Sequence, residues 1–235
     1  MCGRFGISAT AEQLALLLEI DPSDVPELQA RYNIAPTTLA PVVRHNASGD
    51  RKVHLVRWGL VPSWAKDLGI GSRLTNARSE TVVEKPAFRD AFQRRRCLVM
   101  TDGFYEWHTP KGETTKQAYH IGLADESPFA MAGLWERWQP DEAEAPLDTF
   151  TIMTTQANSV LAPIHHRMPV ILAPTDYDTW LSREGSVRAA RGLLAPCPPD
   201  AMVRWPVSDL VNSSRNDDPS LRRAVASPPD AATQI

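Results

Sequence analysis

The spacing of apolar residues in the first hundred positions predicts a helix, a strand and a second helix. In residues 10–20 one helical face carries Leu14, Leu17 and Leu18, and Thr10 with Gln13 has the spacing of a capping box. Residues 53–61 have the apolar character of a strand. Residues 86–96 begin with a proline, which a first helical turn tolerates, and their apolar residues share one face. The intervening segments are predicted to be extended or turn-rich loops, at residues 28–41 and 62–76.

The second half of the chain has the pattern of a series of short strands. Few long helical stretches separate them, which favours antiparallel pairing over β-α-β units. The predicted strands are residues 97–107, 118–123, 128–135, 150–155 and 168–172. Two helices are predicted near the end, at residues 175–183 and 186–194. The pattern therefore predicts strands that pair mostly antiparallel, with few helices.

Composition indicates one ordinary globular domain. The chain has 235 residues, of which 43% are hydrophobic and 23% charged, and a domain of this size folds without disulfides or metals. We place the domain at residues 1–217 and a polar, flexible tail at residues 218–235. The end of that tail, SPPDAATQI, has the composition of a disordered segment.

Cysteine usage and hydropathy indicate a reducing, cytoplasmic compartment. Cys2, Cys97 and Cys197 are odd in number and form no CxxC pair, which argues against a disulfide framework. The first residues lack the pattern of a signal peptide, and no apolar run is long enough to cross a membrane. We therefore expect a cytoplasmic protein that has no membrane partner.

The net charge of −3 conceals an asymmetry along the chain. Residues 1–100 carry 14 Lys and Arg against 10 Asp and Glu, a balance of +4. Residues 101–235 carry 11 against 18, a balance of −7. A polyanion would meet the first part more favourably, although a random distribution of surface charge gives the same numbers.

Cys2 has the most specific potential chemistry. Initiator methionine is generally removed when the next residue is small, and loss of Met1 leaves an α-amine and a thiol on one residue, with reference pKa values of about 8 and about 8.5. The amine of such a 1,2-aminothiol condenses with an aldehyde to an imine, and the thiol then closes a five-membered thiazolidine ring. The second step is intramolecular and gains a large effective molarity. The alternative is a chance cysteine after a start codon.

Two motifs contain candidate acids and bases. Glu106 lies among aromatic residues in DGFYEW, where burial raises a carboxyl pKa towards neutrality; the alternative is a solvent-exposed strand-end glutamate. His165 and His166 lie in IHHRMPV, where a histidine can transfer protons near pH 7, and Arg167 can hold a phosphate. A structural histidine is the alternative. The pair lacks an HExxH or Cys/His set, so we expect neither a metal nor another cofactor.

Further polar and aromatic residues suggest a nucleic-acid surface. Asn76 in NARSE can donate and accept hydrogen bonds, which suits orienting an amine, and Arg78 can bind a phosphate bidentately. Arg4 adds a cation, while Trp58 and Trp64 offer indoles on which the bases of single-stranded DNA stack. The alternatives are a helix cap with surface charges, and buried structural tryptophans.

Taken together and in order, these motifs resemble those of one family. The chain is similar to members of the SOS-response-associated peptidase family, also called abasic-site processing proteins. With WPVSDLVNSSRND at 205–217, the resemblance covers nearly the whole domain. The motifs that carry it are MCGRF at 1–5, RYNIAPT at 31–37, WGLVPSW at 58–64, NARSE at 76–80, DGFYEW at 102–107 and IHHRMPV at 164–170.

This resemblance implies an α+β fold, a single domain with a mostly antiparallel, barrel-like β core and peripheral helices. It also implies a cleft for single-stranded DNA. The implied catalytic residues are Cys2, Asn76, Glu106 and His165, and the implied positions along the DNA are Arg4, Trp64 and Arg78.

The implied function is covalent capture of abasic sites in single-stranded DNA by the amine and thiol of Cys2, first as an imine and then as a thiazolidine crosslink. An imine also permits β-elimination of the 3′ phosphate, so we expect AP-lyase activity. The peptidase name fits self-removal of Met1. We expect a monomer without an obligate protein partner, which is nucleoid-associated when bound to damaged DNA.

Two other functions are compatible with the residues alone. An N-terminal-nucleophile hydrolase would use the Cys2 thiol with its own amine as base, and would turn over amide substrates without regard to DNA. A non-covalent nucleic-acid binding module, reading modified bases, would bind in a salt-sensitive way that denaturant reverses fully.

Overall fold

The computed structural model describes residues 2–109, 114–141, 145–182 and 187–226. Their helices are α1 (Ala11–Leu18), α2 (Arg89–Arg94), α3 (Tyr177–Leu181) and α4 (Val187–Gly192). The strands are β1 (Arg4–Ile7), β2 (Arg31–Ile34), β3 (Leu39–His45), β4 (Arg51–Trp58), β5 (Asn76–Arg78), β6 (Arg96–Thr101), β7 (Gly103–His108), β8 (Gln117–Leu123), β9 (Phe129–Trp138), β10 (Leu147–Gln156), β11 (Arg167–Pro169), β12 (Ile171–Leu172) and β13 (Met202–Val207). Each of these helices is too short or too polar to span a membrane.

Five of the strands close into a barrel. Neighbouring strands follow the order β10, β4, β3, β6 and β9, and β9 pairs back onto β10. Every pairing in this ring is antiparallel except that of β4 with β10. Strand β6 is buried along its whole length because both of its faces are covered. The closed ring and the few peripheral helices confirm the predicted α+β fold with a barrel-like core.

A second sheet packs beside the barrel in the order β13, β8, β7, β1 and β2, and all of its pairings are antiparallel. A single residue, Asp102, separates β6 in the barrel from β7 in this sheet. The strand predicted at residues 97–107 is therefore two strands that belong to different sheets. Gly103 follows this break, and a Cβ there would meet the His120 ring at 2.3 Å. Only glycine fits at this position without displacing the ring.

Local patterns were reliable where they were periodic and less so where strands are short. Helix α1 has the predicted capping box, in which the Thr10 side chain accepts from the Gln13 backbone and the Gln13 side chain from that of Thr10. Residues 28–41 were predicted to be a loop, but they contain β2 and the start of β3. Helix α2 begins at Arg89, after hydrogen-bonded turns, rather than at the predicted residue 86.

Residues 218–226, which we predicted to be part of a flexible tail, pack against the domain. Leu221 is fully buried, and the Arg222 guanidinium forms an ion pair with Asp102. The ordered domain thus continues beyond the predicted boundary at 217. The segment SPPDAATQI lies outside the described residues.

The packing of Leu221 predicts a stability effect. Leu221→Ala should lower the free energy of unfolding by about 2–5 kcal/mol, because truncation of a buried leucine leaves a cavity. Leu16→Ala is the matched control, since Leu16 is 83% exposed, and should change stability by about 0.5 kcal/mol or less. Urea unfolding curves of the full chain measure both. Equal effects of the two substitutions would show that residues 218–226 do not belong to the cooperative unit.

Candidate active site

Strand pairing brings the N-terminal segment alongside the DGFYEW motif. Arg4 on β1 pairs with Tyr105 on β7 in antiparallel register, so the residues just before Arg4 run beside Glu106. Cys2 is fully buried and Glu106 is 3% exposed. The Cys2 thiol lies 3.9 Å from the carbonyl oxygen of Arg4. The thiol and the carboxyl group therefore share one largely desolvated space.

Burial controls the protonation of both groups. Burial raises the pKa of the Cys2 thiol, and the neighbouring Glu106 carboxylate raises it further. Burial also raises the pKa of the Glu106 carboxyl, because a low-dielectric environment disfavours the charged form. At neutral pH the thiol is protonated, and Glu106 holds a proton to higher pH than an exposed glutamate.

Asn76 contacts the backbone of Cys2 directly. Its Nδ2 donates to the carbonyl oxygen of Cys2 at 2.9 Å and to Oγ1 of Thr75 at 3.2 Å. Its Oδ1 is buried and accepts no hydrogen bond from any of the described residues. A buried acceptor is stabilised by a hydrogen-bond donor, so Oδ1 of Asn76 can accept from a donor next to Cys2.

The barrel sets the position of Asn76. Strand β5 pairs in parallel with β10, where Asn76 lies opposite Ile152. The indole N–H of Trp58 donates to the carbonyl oxygen of Thr75 at 2.9 Å. Trp58 is fully buried, with the Phe5 ring 5.1 Å from its own. Of the two readings left open for Trp58, the structure shows the buried structural tryptophan, which supports the strand that carries Asn76.

His165 lies in the loop between β10 and β11. Its Nδ1 accepts a hydrogen bond from the backbone N–H of Arg167 at 2.9 Å and lies 3.2 Å from the Arg167 carbonyl oxygen. The His165 and His166 rings stack with centroids 4.4 Å apart, and the proximity of His166 lowers the pKa of Glu106 against the effect of burial. The histidine pair therefore lies at the same site as Glu106 and Cys2.

Burial lowers the pKa of His165. The backbone of Arg167 offers Nδ1 a partner in either protonation state, because the N–H can donate to a bare nitrogen and the carbonyl can accept from a protonated one. His165 is half-buried, so it is accessible while its orientation is fixed. This is the arrangement that a proton-transfer group requires.

Two of the predicted DNA-binding residues are accessible. Arg78 is exposed and lies two residues after Asn76 on β5, so strand alternation puts both side chains on the same face. Trp64 is 59% exposed, which suits an indole that stacks on a base. That Arg78 and Trp64 contact DNA stays a prediction.

The other two predicted phosphate-binding arginines are occupied by protein groups. Nη1 of Arg4 donates to Oδ1 of Asn33 and to the carbonyl of Val211, both at 2.9 Å, and strand alternation places Arg4 on the sheet face opposite Glu106. Arg167 is 7% exposed and forms an ion pair with Glu80 at 2.6 Å. A phosphate would have to displace Glu80 from Arg167, which we did not anticipate.

Asn33 is a buried polar residue for which the motifs predicted no role, and it holds residues 211–216 against β2. Asn33 is 1% exposed, and its Nδ2 donates to three backbone carbonyls of the C-terminal segment. The only sign of this role in the sequence was the position of Asn33 in the RYNIAPT motif, next to an apolar residue. The partners of Arg167 and Asn33 lie far away in sequence, so spacing could not identify them. In the described ranges, histidine, cysteine and carboxylate side chains do not gather in threes as metal ligands do.

Comparisons with known proteins agree on one family. The profile of the SOS response associated peptidase (SRAP) family matches residues 1–214. The chain is 40% identical over 223 residues to the abasic site processing protein YoaM of Bacillus subtilis (strain 168), which covers 94% of this chain and 97% of that protein. It is 34% identical over 225 residues to the abasic site processing protein HMCES of Pongo abelii, and this match covers 80% of this chain and 63% of that protein.

Solved structures have the same fold. A crystal structure of a protein from Bacteroides thetaiotaomicron superposes with a TM-score of 0.80 at 29% identity, and the match covers 96% of this chain and 100% of that one. A second, from Bordetella bronchiseptica, has a TM-score of 0.76 at 25% identity and covers 88% of this chain and 100% of that one.

Proposed function

Because the chain belongs to the SOS response associated peptidase (SRAP) family, we propose that it processes abasic sites in DNA by capturing them covalently on Cys2. The observation that carries this proposal is the arrangement around the Cys2 backbone. Asn76 binds the carbonyl of Cys2, its Oδ1 is left without a donor, and Glu106 lies alongside. The hydrogen-bonding groups are thus preorganised around a nitrogen that loss of Met1 would release.

Release of the Cys2 amine supplies the donor that Asn76 lacks. Nitrogen and carbonyl of one residue are close together, so the amide of Asn76 can hold both, with Nδ2 on the carbonyl and Oδ1 accepting from the amine. A lone pair of the amine then stays available for attack on an aldehyde. From the sequence we expected Asn76 to orient only the amine of Cys2, whereas here it also binds the carbonyl oxygen.

The first chemical step is imine formation. The open-chain aldehyde of an abasic deoxyribose accepts the Cys2 amine at C1′ to give a carbinolamine, and loss of water forms a protonated imine. Expulsion of water needs a proton donor, and Glu106 is suited to this because burial raises its pKa and so extends the pH range over which it holds a proton. His165 can move the second proton that opening of the sugar ring requires.

Two reactions compete for the imine. The thiol of Cys2 gives up its proton to a base and its sulfur adds to C1′ of the protonated imine. The imine nitrogen becomes a neutral ring amine, and the resulting thiazolidine links protein and DNA. Alternatively, a base removes a C2′ proton, the C3′–O bond breaks and the 3′ phosphate leaves, which is the lyase reaction. The protonated thiol must lose its proton to close the ring, and the adjacent carboxylate of Glu106 can accept it.

DNA binding in this proposal uses Arg78, on the strand that carries Asn76, and the exposed indole of Trp64. A single strand suits this surface better than a duplex, because an indole can stack only on a base that is not paired within a helix. The peptidase name of the family fits cleavage of the Met1–Cys2 bond by the chain itself. Action on other proteins has no support from these residues.

One set of measurements tests the proposal against its rivals. Protein is mixed with abasic and intact single-stranded oligonucleotides and resolved on a denaturing gel, and the adduct is weighed. We expect a heat-stable band on abasic DNA alone, with the mass of the chain lacking Met1 plus the oligonucleotide minus one water. Borohydride should add two hydrogens only to the imine fraction. Crosslinking at full rate by a chain that keeps Met1 would refute the role of the amine.

The rivals give different results in the same assay. An N-terminal-nucleophile hydrolase would turn over amide substrates and ignore the lesion. A non-covalent binding module would shift abasic DNA on a native gel and release it completely in denaturant.

A further inference from the structure

An ion pair joins the two segments that carry Asn76 and His165. Nη1 and Nη2 of Arg167 donate to Oε1 and Oε2 of Glu80 at 2.6 and 2.9 Å, and Nη2 also donates to the carbonyl oxygen of Thr154 at 2.6 Å. The guanidinium thus has a bidentate carboxylate partner and a buried backbone acceptor. Such a fork fixes the orientation of both side chains more firmly than a single contact does.

The pair bridges across strand β10. Thr154 lies opposite Arg78 of β5 on one side and opposite Pro169 of β11 on the other. Glu80 follows β5 by two residues, and Arg167 is the first residue of β11. The ion pair therefore links the segment that carries Asn76 to the segment that carries His165, which lie on either side of strand β10.

On the histidine side, the same residue that makes the ion pair also holds the ring. The backbone N–H of Arg167 donates to Nδ1 of His165, so in the neutral ring the proton lies on Nε2. A shift of the Arg167 backbone would change that hydrogen bond. Because the Arg167 side chain is anchored by Glu80 and Thr154, its backbone has little freedom to shift.

We infer that Glu80 and Arg167 are a positioning pair that sets the orientation and tautomer of His165 relative to Asn76. The inference rests on the proposed function of this site. It assigns Arg167 to support of His165, and it gives a role to Glu80, the last residue of the NARSE motif.

The ion pair of Glu80 and Arg167 also affects the pKa of His165, through the charges around the ring. His166 stacks on His165, and the charges of His165, Arg167 and Arg78 lower the pKa of His166. His166 in turn lowers the pKa of Glu106 against the effect of burial. The charge of Arg167 opposes protonation of His165, and Glu80 offsets it through the ion pair. Loss of the Glu80 charge should therefore lower the pKa of His165 further below its usual value.

Glu80→Gln tests the inference with little change in shape. Single-turnover crosslinking to an abasic single strand should slow about tenfold, which is within the contribution of one positioned acid or base. The DNA concentration for half-maximal rate should stay within about twofold of the original value, since Glu80 is not a phosphate contact. Glu80→Asp, which keeps the charge on a shorter chain, should recover part of the rate.

A matched control distinguishes this effect from general loss of an ion pair. Asp148 lies on the same strand β10 and accepts two hydrogen bonds from Arg137, at 2.8 and 3.1 Å. Asp148→Asn should leave crosslinking unchanged. Thermal unfolding of each variant checks that it is folded.

Nitrogen NMR of the His165 ring supplies a readout that does not depend on crosslinking. The original protein should show the Nε2–H tautomer, and Glu80→Gln should show a mixed tautomer and a lower ring pKa. In a His165→Gln background, Glu80→Gln should add almost nothing to the loss of rate.

Three outcomes would overturn the positioning role: an unchanged rate and ring spectrum, a loss of DNA affinity equal to the loss of rate, or a full effect in the His165→Gln background. Failure of the original protein to crosslink would instead reject the proposed function, while the ring spectrum would still test the pair.

Discussion

Cys2→Ala should abolish the heat-stable crosslink to abasic DNA, because thiazolidine closure needs the sulfur. Alanine is also small, so Met1 should still be removed and an α-amine exposed. The variant should therefore still form an imine, which borohydride traps and water otherwise hydrolyses. Loss of the stable band by at least about 100-fold is expected, since no other group supplies an intramolecular nucleophile of comparable effective molarity.

The same variant separates the two fates of the imine. Without a competing thiol, strand cleavage by β-elimination should account for a larger share of the product. Denaturing gels run with and without borohydride measure the imine, the crosslink and the cleaved strand in one experiment.

Cys197→Ala is the matched control for this prediction. Cys197 is also a buried free cysteine, 8% exposed, whose pKa is raised by burial, but it lies outside the site. It should crosslink at the original rate. A stable crosslink formed by Cys2→Ala, or lost in Cys197→Ala, would contradict the assignment of the nucleophile.

The fold was predictable where one local rule applies. Helix α1 has both a periodic apolar face and a capping box, and both were visible in the sequence. Strand β2 was missed because Arg31–Ile34 is short and begins with polar residues. Its pairing with β1 stabilises it, and the partner lies more than 20 residues away in sequence. The parallel pairing of β10 with β4 and β5 was likewise invisible, because it depends on closure of the barrel.

The candidate site, like the fold, could be predicted from the sequence only in part. Cys2 and Glu106 were recognisable because their residue types and surroundings restrict their chemistry. The neighbours that set their properties come from other strands: Asn76 reaches the Cys2 carbonyl across 74 positions, and Arg167 reaches Glu80 across 87. Single motifs cannot reveal such contacts. The same limit explains Trp58, since the sequence alone does not distinguish a buried indole that binds the backbone before Asn76 from an exposed one.

Glu106→Gln should slow crosslinking by about 100-fold or more at neutral pH, the effect of removing a general acid. Glutamine keeps the size and hydrogen-bonding reach of the side chain but cannot transfer a proton. DNA affinity should change little, because a carboxyl group does not bind phosphate. Single-turnover rates over a range of DNA concentrations separate the two quantities.

The pH dependence of the crosslinking rate tests whether Glu106 acts as an acid. Burial raises the pKa of Glu106, so the protonated acid is present below that pKa and is lost as pH rises through it. If loss of water from the carbinolamine limits the rate, the original protein should slow on the alkaline side of this pKa. Glu106→Gln should lack that decline.

Glu136→Gln is the control, because Glu136 is 6% exposed and burial also raises its pKa, but it lies on barrel strand β9 and its partner is Arg95. It should crosslink at the original rate with the original pH profile. An equal fall in DNA affinity and rate for Glu106→Gln would make Glu106 a binding residue. An unchanged alkaline decline in that variant would transfer the acid role to His165, the other proton-transfer group at the site.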